Sequence, residues 1–305
     1  MRILVTGATG FIGTHLVERL KKDHDVTCLV RKKPDIHGIK LHYGDIRKKD
    51  SLQGLKFDAV MHLAGILGAS EVREEDYYLT HVLGTKNVVE LCSGERFVHC
   101  STAGVLGPVR NGSELTRLKP TNIYEKTKAQ AEKIVLAYEN HAIVRPEFVY
   151  GPGDTHVLQF FRAVASGRFP LIGGGQSMLH PTYVDDVVDC LIACLDKDIR
   201  NEVFMVAGER PVTVQELTQM TSMIIGRSMH NIRIPAALAR MYVGIVPVLQ
   251  RFGIDPVLTR SRLDFFTKDR TFDTSKAKEM LGYSPIGLED GLRMTLAWYK
   301  GHGLI

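Results

Sequence analysis

The chain has 305 residues, 44% hydrophobic and 24% charged, which suits one large globular domain or a large and a small one sharing a cleft. Its net charge of +5 is spread along the chain and Arg31-Lys32-Lys33 is the densest basic cluster, so a nucleic-acid surface is not expected. The 5 cysteines (Cys28, Cys92, Cys100, Cys190, Cys194) are odd in number, sit in apolar segments and lack metal-ligand spacing, as reduced buried thiols of a cytoplasmic protein would.

The first strand is expected at 2–6, "RILVT", with no basic leader ahead of it and hence no secretory signal. It runs into "TGATGFIG", which spaces Gly7, Gly10 and Gly13 as G-x-x-G-x-x-G before the helical pattern "FIGTHLVERLKK". Glycine permits a tight turn and close backbone approach to a pyrophosphate, and a helix N-terminus presents free N–H groups to the charge. The second strand, 25–30, ends at Arg31 and Lys32, where an NAD site usually offers an acid to the ribose; the two cations favour NADP over NAD.

Further strands are expected at 39–43, 58–63, 96–101, 142–145 and 202–206, separated by helical patterns such as "VLGTKNVVELC". In "IYEKTKAQAEKIVLAYEN", a helix would put Tyr124 and Lys128 on one face, a turn apart. After Pro146 the chain turns to Gly- and Pro-rich loops, a helix at 184–195 and a mainly helical last hundred residues. The apolar stretch 234–254 is interrupted by Arg240, Pro247 and Arg251, so it reads as a helix of a second lobe rather than a membrane span, with surface contact left open. Alternating strands and helices imply a doubly wound parallel α/β sheet built from 1–150 and 182–208. A smaller, mostly helical substrate-binding lobe would come from 151–181 and 209–305.

Together these motifs resemble, over nearly the whole chain, the extended short-chain dehydrogenase/reductase family, which includes nucleotide-sugar epimerases, dehydratases and 3β-hydroxysteroid dehydrogenases. The resemblance implies a Rossmann-type fold and NADP or NAD as cofactor. It makes "TGATGFIG", with Gly7, Thr9, Gly10, Phe11, Ile12 and Gly13, the cofactor loop, and "YGDIRKKDSL" the adenine loop through Asp45 and Ile46. Leu63, Ala64 and Gly65 of "MHLAG" would run beside the nicotinamide ribose, with His81 standing where many relatives carry an asparagine. Thr102 of "CSTAGVLG" falls on the active-site Ser/Thr, and "YEKTK" on the Tyr-x-x-x-Lys pair.

Hydride transfer at a secondary alcohol needs a base for the hydroxyl proton, or an acid in reverse. A phenol with pKa about 10 is a poor base at neutral pH. An ammonium at ~4 Å would favour phenolate by roughly 4 kcal/mol at an effective dielectric near 20. Tyr124 is therefore the expected proton-transfer residue, Lys128 its charge partner and ribose contact, and Thr102 the group orienting the reacting oxygen.

The substrate is less legible. Phe148 stands where nucleotide-sugar epimerases typically place Asn, and Leu179, before His180 and Pro181, where they commonly carry a diphosphate-binding Arg. Arg168, Arg210, Arg233, Arg240 or Arg262 could supply that contact instead. Three functions follow: a dehydrogenase or reductase of an apolar secondary alcohol or ketone, a nucleotide-sugar epimerase or dehydratase, and a cofactor-binding protein without turnover. The first is favoured, with a small molecule as substrate and a homodimer left open.

Overall fold

Seven short runs, most of them rich in aliphatic and β-branched residues, assemble into one parallel sheet in the computed structural model, which describes residues 1–34, 38–67, 72–196, 198–228, 232–251 and 258–305. The strands are β1 (Arg2–Thr6), β2 (Asp25–Val30), β3 (Lys40–Tyr43), β4 (Ala59–His62), β5 (Arg96–Cys100), β6 (His141–Pro146) and β7 (Glu202–Val206). Their spatial order is β7-β6-β5-β4-β1-β2-β3, so the chain reverses direction across the sheet between β1 and β4. Every residue of β4, β5 and β6 is buried, as strands covered on both faces require.

Side-chain alternation divides the core in two. Ile3 and Val5 of β1 point to one face, where Leu16, Val17 and Leu20 of α1 (Phe11–Leu20) meet Val187, Val188 and Leu191 of the helix Val184–Ala193. Leu4 points to the other, with Val60, Phe97, Ile143, Val88 and Val135. On that second face lie α2 (residues 74–89) and α3 (Ile123–Leu136). The rod α2 runs from Glu74–Tyr77 through a π-helical turn, Tyr78–Leu83, into Gly84–Val89. The sequence pattern gave no sign of that interruption.

A third cluster, rich in aromatics, gathers Phe160, Phe161, Phe169, Tyr150, Tyr183 and Tyr299. It is built by α4 (Leu158–Ala165), the N-terminal part of α5 (the helix Val184–Ala193), α6 (Val214–Ile225) and the helix Leu288–Gly301. The apolar stretch 234–254 forms the helix α7 (Ala236–Arg251), with residues 252–254 outside the described residues. Ala239 of α7 packs on Ile172 and on Leu263 of α8 (Arg260–Thr267), while Leu238, Met241 and Ile245 are exposed. Among the described residues no helix is long and apolar enough to cross a membrane. The strand Arg270–Phe272 pairs in parallel with Val109–Gly112, bringing a late segment of the chain back beside β5 and α3.

Candidate active site

The loops leaving β1, β4, β5 and β6 open on one side of the sheet, at the point where strand order reverses. In open α/β sheets that crevice is where ligands bind. Here it is a cleft of about 570 Å³, lined by Gly7, Gly10, Phe11, Ile12 and Gly13 at one end and by Thr102, Tyr124, Lys128, Phe148, Phe265 and Arg270 at the other.

The glycine loop shows why two of its glycines are required. Gly7 has φ 75, and a Cβ there would fall 2.6 Å from Ala64 N. A Cβ on Gly13 would fall 2.1 Å from Gly7 O. Gly10 caps α1 without a side-chain hydrogen bond, and the first turn carries no acid. The N–H groups of Phe11, Ile12 and Gly13 therefore lack both intrahelical partners and a competing carboxylate, the donor set a pyrophosphate needs. A dinucleotide fits this end.

Beyond it, Thr9, Thr14, Arg31, Lys32, Lys33 and Arg47 line a second, open concavity. Arg31 and Lys32 follow β2 directly and are exposed. Arg47, which sequence reasoning did not single out, donates to the Asp45 carboxylate through Nε (3.1 Å) and Nη2 (2.7 Å). This pairing holds the Asp45 carboxyl below its usual range. Asn87 Nδ2 donates to Ile46 O (2.7 Å), tying the same loop to α2. Asp45 and Ile46 thus sit beside the basic concavity in a braced loop.

Leu63, Ala64 and Gly65 follow β4 along the cleft, and His81 lies beneath Gly65, whose Cβ would come 3.3 Å from its Nε2. The imidazole is held at both ends. Nε2 accepts from Ile66 N (2.9 Å), so the ring proton sits on Nδ1 and is given to Thr127 Oγ1 (2.8 Å), which in turn donates to Ile123 O. Burial, with Lys128 nearby, pushes its pKa down to about 3, so the ring stays neutral. A hydrogen bond from His81 to the cofactor, open from the sequence, would need a nitrogen the fold has already used.

Tyr124 and Lys128 do share the inner face of α3, whose N-cap Asn122 accepts from Glu125 N (2.9 Å). The Lys128 ammonium, however, donates to Cys100 O (2.7 Å) and reaches His99 Nε2 at 3.4 Å, both on β5. No hydrogen bond joins the ammonium to the Tyr124 phenol; β5 offers the buried cation a carbonyl and an imidazole. Burial pushes the Tyr124 phenol above its ordinary value, Cys100 adds to this, and the Thr102 hydroxyl works in the opposite direction. Thr102 Oγ1 also accepts from Gly104 N (3.1 Å), capping the turn after β5.

Several residues at that end of the cleft lie outside the sequence-based set, four of them charged or aromatic groups of its wall. Arg270 donates Nη2 to Glu125 Oε1 (2.9 Å), with both side chains buried, and Glu147 and Phe265 complete the wall. A pair 145 residues apart leaves no local signal. Glu147, a lone acid in the apolar run "VRPEFVY", does leave one. Leu179 is fully buried in the aromatic cluster and absent from the cleft lining. Of the arginines expected to replace its lost charge, none lines the cleft among the described residues, and the Arg262 side chain lies outside them.

A glycine loop at the strand-order reversal, facing a Tyr-x-x-x-Lys pair across one cleft, defines a nicotinamide-dinucleotide-dependent enzyme. The chain belongs to the NAD dependent epimerase/dehydratase family, whose sequence model matches residues 3–207. It is 26% identical to the sterol-4-alpha-carboxylate 3-dehydrogenase (decarboxylating) of Saccharomyces cerevisiae, over 97% of each chain. It is 27% identical to a 4-hydroxy-2-methyl-3-oxo-4-farnesyl-3,4-dihydroquinoline-1-oxide ketoreductase of Stigmatella aurantiaca, over 93% of this chain and 92% of that one. Among solved structures it resembles the UDP-glucuronic acid 4-epimerase of Bacillus cereus in complex with NAD, with TM-score 0.77, 25% identity and 99% of each chain covered.

Proposed function

We propose that this enzyme is an NADP-preferring oxidoreductase that moves a hydride at a secondary alcohol or ketone of an apolar small molecule, in the manner of a 3β-hydroxysteroid dehydrogenase or ketone reductase. The observation that carries this reading is the substrate wall, where Leu67, Phe148, Val149, Val157 and Phe265 line the cleft with Tyr124. The names of the yeast and Stigmatella relatives, a sterol dehydrogenase and a reductase of a farnesylated ketone, agree with it.

The bound cofactor supplies or takes the hydride. Gly7, Thr9, Gly10, Phe11, Ile12 and Gly13 hold its pyrophosphate, Asp45 and Ile46 its adenine, and Arg31 and Lys32 its 2′-phosphate. Leu63, Ala64, Gly65 and Lys128 hold the nicotinamide ribose, and His81 braces the loop at Ile66. Tyr124 gives its phenol proton to the ketone oxygen, or takes the alcohol proton in reverse, while Thr102 hydrogen-bonds the same oxygen. Burial raises the phenol pKa, which favours the protonated form that can give a proton to a ketone oxygen.

Beside the likeness to the Bacillus cereus epimerase, the nucleotide-sugar reading finds support in the cleft in Arg270, a guanidinium. Glu125 already neutralises it. A diphosphate would then lose water without gaining its partners, so UDP or dTDP should bind with Kd in roughly the millimolar range. Calorimetry on the cofactor-loaded protein tests this, and micromolar binding would replace the apolar-substrate reading with the epimerase one. Stoichiometric oxidation of NADPH by an apolar ketone is the matching positive result.

A further inference from the structure

Glu147 follows β6, between Pro146 and Phe148, and lines the cleft while only 3% exposed. Its backbone is fully employed, the N–H donating to Val206 O (3.1 Å) and the carbonyl accepting from Thr182 Oγ1. Its carboxyl is not, since Oε1 is buried with no hydrogen-bond partner. The guanidinium that acts on it, Arg270, is spent on Glu125, whose second oxygen accepts from Thr121 N and Thr121 Oγ1. Arg270 Nε is itself buried without a partner. The next residue, Phe148, holds φ 34, a left-handed conformation that side chains other than Asn and Gly rarely adopt. Strain of this kind gathers at sites that position a ligand.

We propose that Glu147 is the specificity-determining residue of the substrate half, a carboxyl that accepts a hydrogen bond from a second hydroxyl of the substrate while Tyr124 serves the reacting oxygen. The proposal rests on the reading of the cleft as a site for alcohol or ketone chemistry. A buried carboxyl without a partner contributes nothing to folding, and a donor arriving with the ligand supplies the missing bond. The charge count selects the donor. Glu125 and Arg270 cancel and Lys128 is turned to Cys100 O, so a substrate carboxylate would face Glu147 as a like charge, whereas a hydroxyl can donate to the ionised form and accept from the protonated one. Both forms are present near neutrality, because burial raises the Glu147 pKa to about 7. The ionisable groups lining the cleft with it are Arg270, Glu125, Tyr124, Lys128, Asp154, His156, His81 and Cys100, from five separate segments.

The test uses the cofactor-loaded enzyme with 2-decalol and the isomeric decalindiols as probes, on wild type, Glu147→Gln and Glu147→Leu. Wild type should favour at least one diol over the mono-ol by tenfold or more in kcat/KM, through KM, and Glu147→Leu should reduce that ratio at least tenfold. Independently of turnover, the ¹³C-carboxyl resonance of Glu147 should titrate near neutrality in the loaded enzyme. The preferred diol should move that titration to lower pH, since a donor stabilises the ionised form. Neither variant should melt below wild type. An unchanged diol preference, binding of neither probe, a titration that stays or rises with the diol, or a lower melting temperature of Glu147→Leu each overturns the proposal. Failure of all turnover with a diol-shifted titration would instead count against the oxidoreductase reading alone.

Discussion

Reversing one charge beside the second concavity separates the two cofactors. Arg31 and Lys32 are exposed there, whereas Arg47 is committed to Asp45, so Arg31 is the more available guanidinium. An exposed charge-assisted hydrogen bond to phosphate contributes about 1.5 kcal/mol, the low end of its range. Replacing Arg31 with Asp removes that bond and sets a carboxylate against a phosphate carrying about −1.5 to −2 charge, which at ~6 Å in water adds roughly 1 kcal/mol of repulsion. The sum, about 2.5 kcal/mol, is roughly 70-fold in Kd for NADPH, with NADH changed less than about threefold. Fluorescence titration of both cofactors at low and high salt measures this, and the NADPH advantage of wild type should shrink as screening increases. Arg47→Leu should act in the same direction by freeing the Asp45 carboxylate. Tighter binding of NADH than NADPH by wild type, or equal losses for both cofactors in Arg31→Asp, would refute the reasoning.

Tyr124→Phe keeps the ring but removes the proton carrier, so kcat should fall by 10²-fold or more with cofactor affinity intact, and near-wild-type kcat on the true substrate would remove Tyr124 from its role. Lys128→Met should weaken cofactor binding as well, which the same titrations detect. Arg270→Met strands a buried carboxylate that keeps its bonds from Thr121, so a loss near 3 kcal/mol is expected, about 6 °C in Tm; Glu125→Gln on that background should recover most of it, as a double-mutant cycle by calorimetry would show. Asp186, buried at the start of α5, has its carboxyl pushed up to about 7 by burial. The folded state therefore keeps a proton that the unfolded state loses above pH ~4, and stability falls as pH rises from about 4 to 7. Asp186→Asn should flatten that slope and add about 1–3 kcal/mol above neutrality in urea titrations; an unchanged slope would mean that the carboxyl is already ionised.

The parallel sheet was legible because most of its strands are short, β-rich runs alternating with helical patterns. Expectation and structure agree at β1, β2 and β7. They differ by a residue at an end elsewhere, as at Asp58, which precedes β4 while its backbone bonds Arg2 and Arg96 and its carboxylate accepts from Arg2 N. The glycine loop and Tyr124–Lys128 spacing were legible because each is a contiguous stretch with a geometric meaning. What the sequence could not supply is anything set by contacts across the fold. The Glu125–Arg270 pair joins α3 to a strand near the chain's end, and the acceptors of Lys128 lie on β5. In the sequence Phe148 reads only as a missing asparagine, and its φ of 34 gives a backbone reason why Asn suits that position.

The π-helical turn of α2 has a further consequence. Its wider hydrogen-bonded ring accommodates one residue more than an α-helix would over the same path, and His81 lies within the 6 residues concerned. Deleting one of them would let the rod heal into continuous α-helix with its flanking turns in place, while residues within the turn are re-aimed by up to about 100°. The imidazole would then swing away from Ile66 and Thr127 together. Chain length at this turn therefore acts as an angular setting for the wall behind Tyr124, and length changes that surface loops absorb freely would misalign the cleft here.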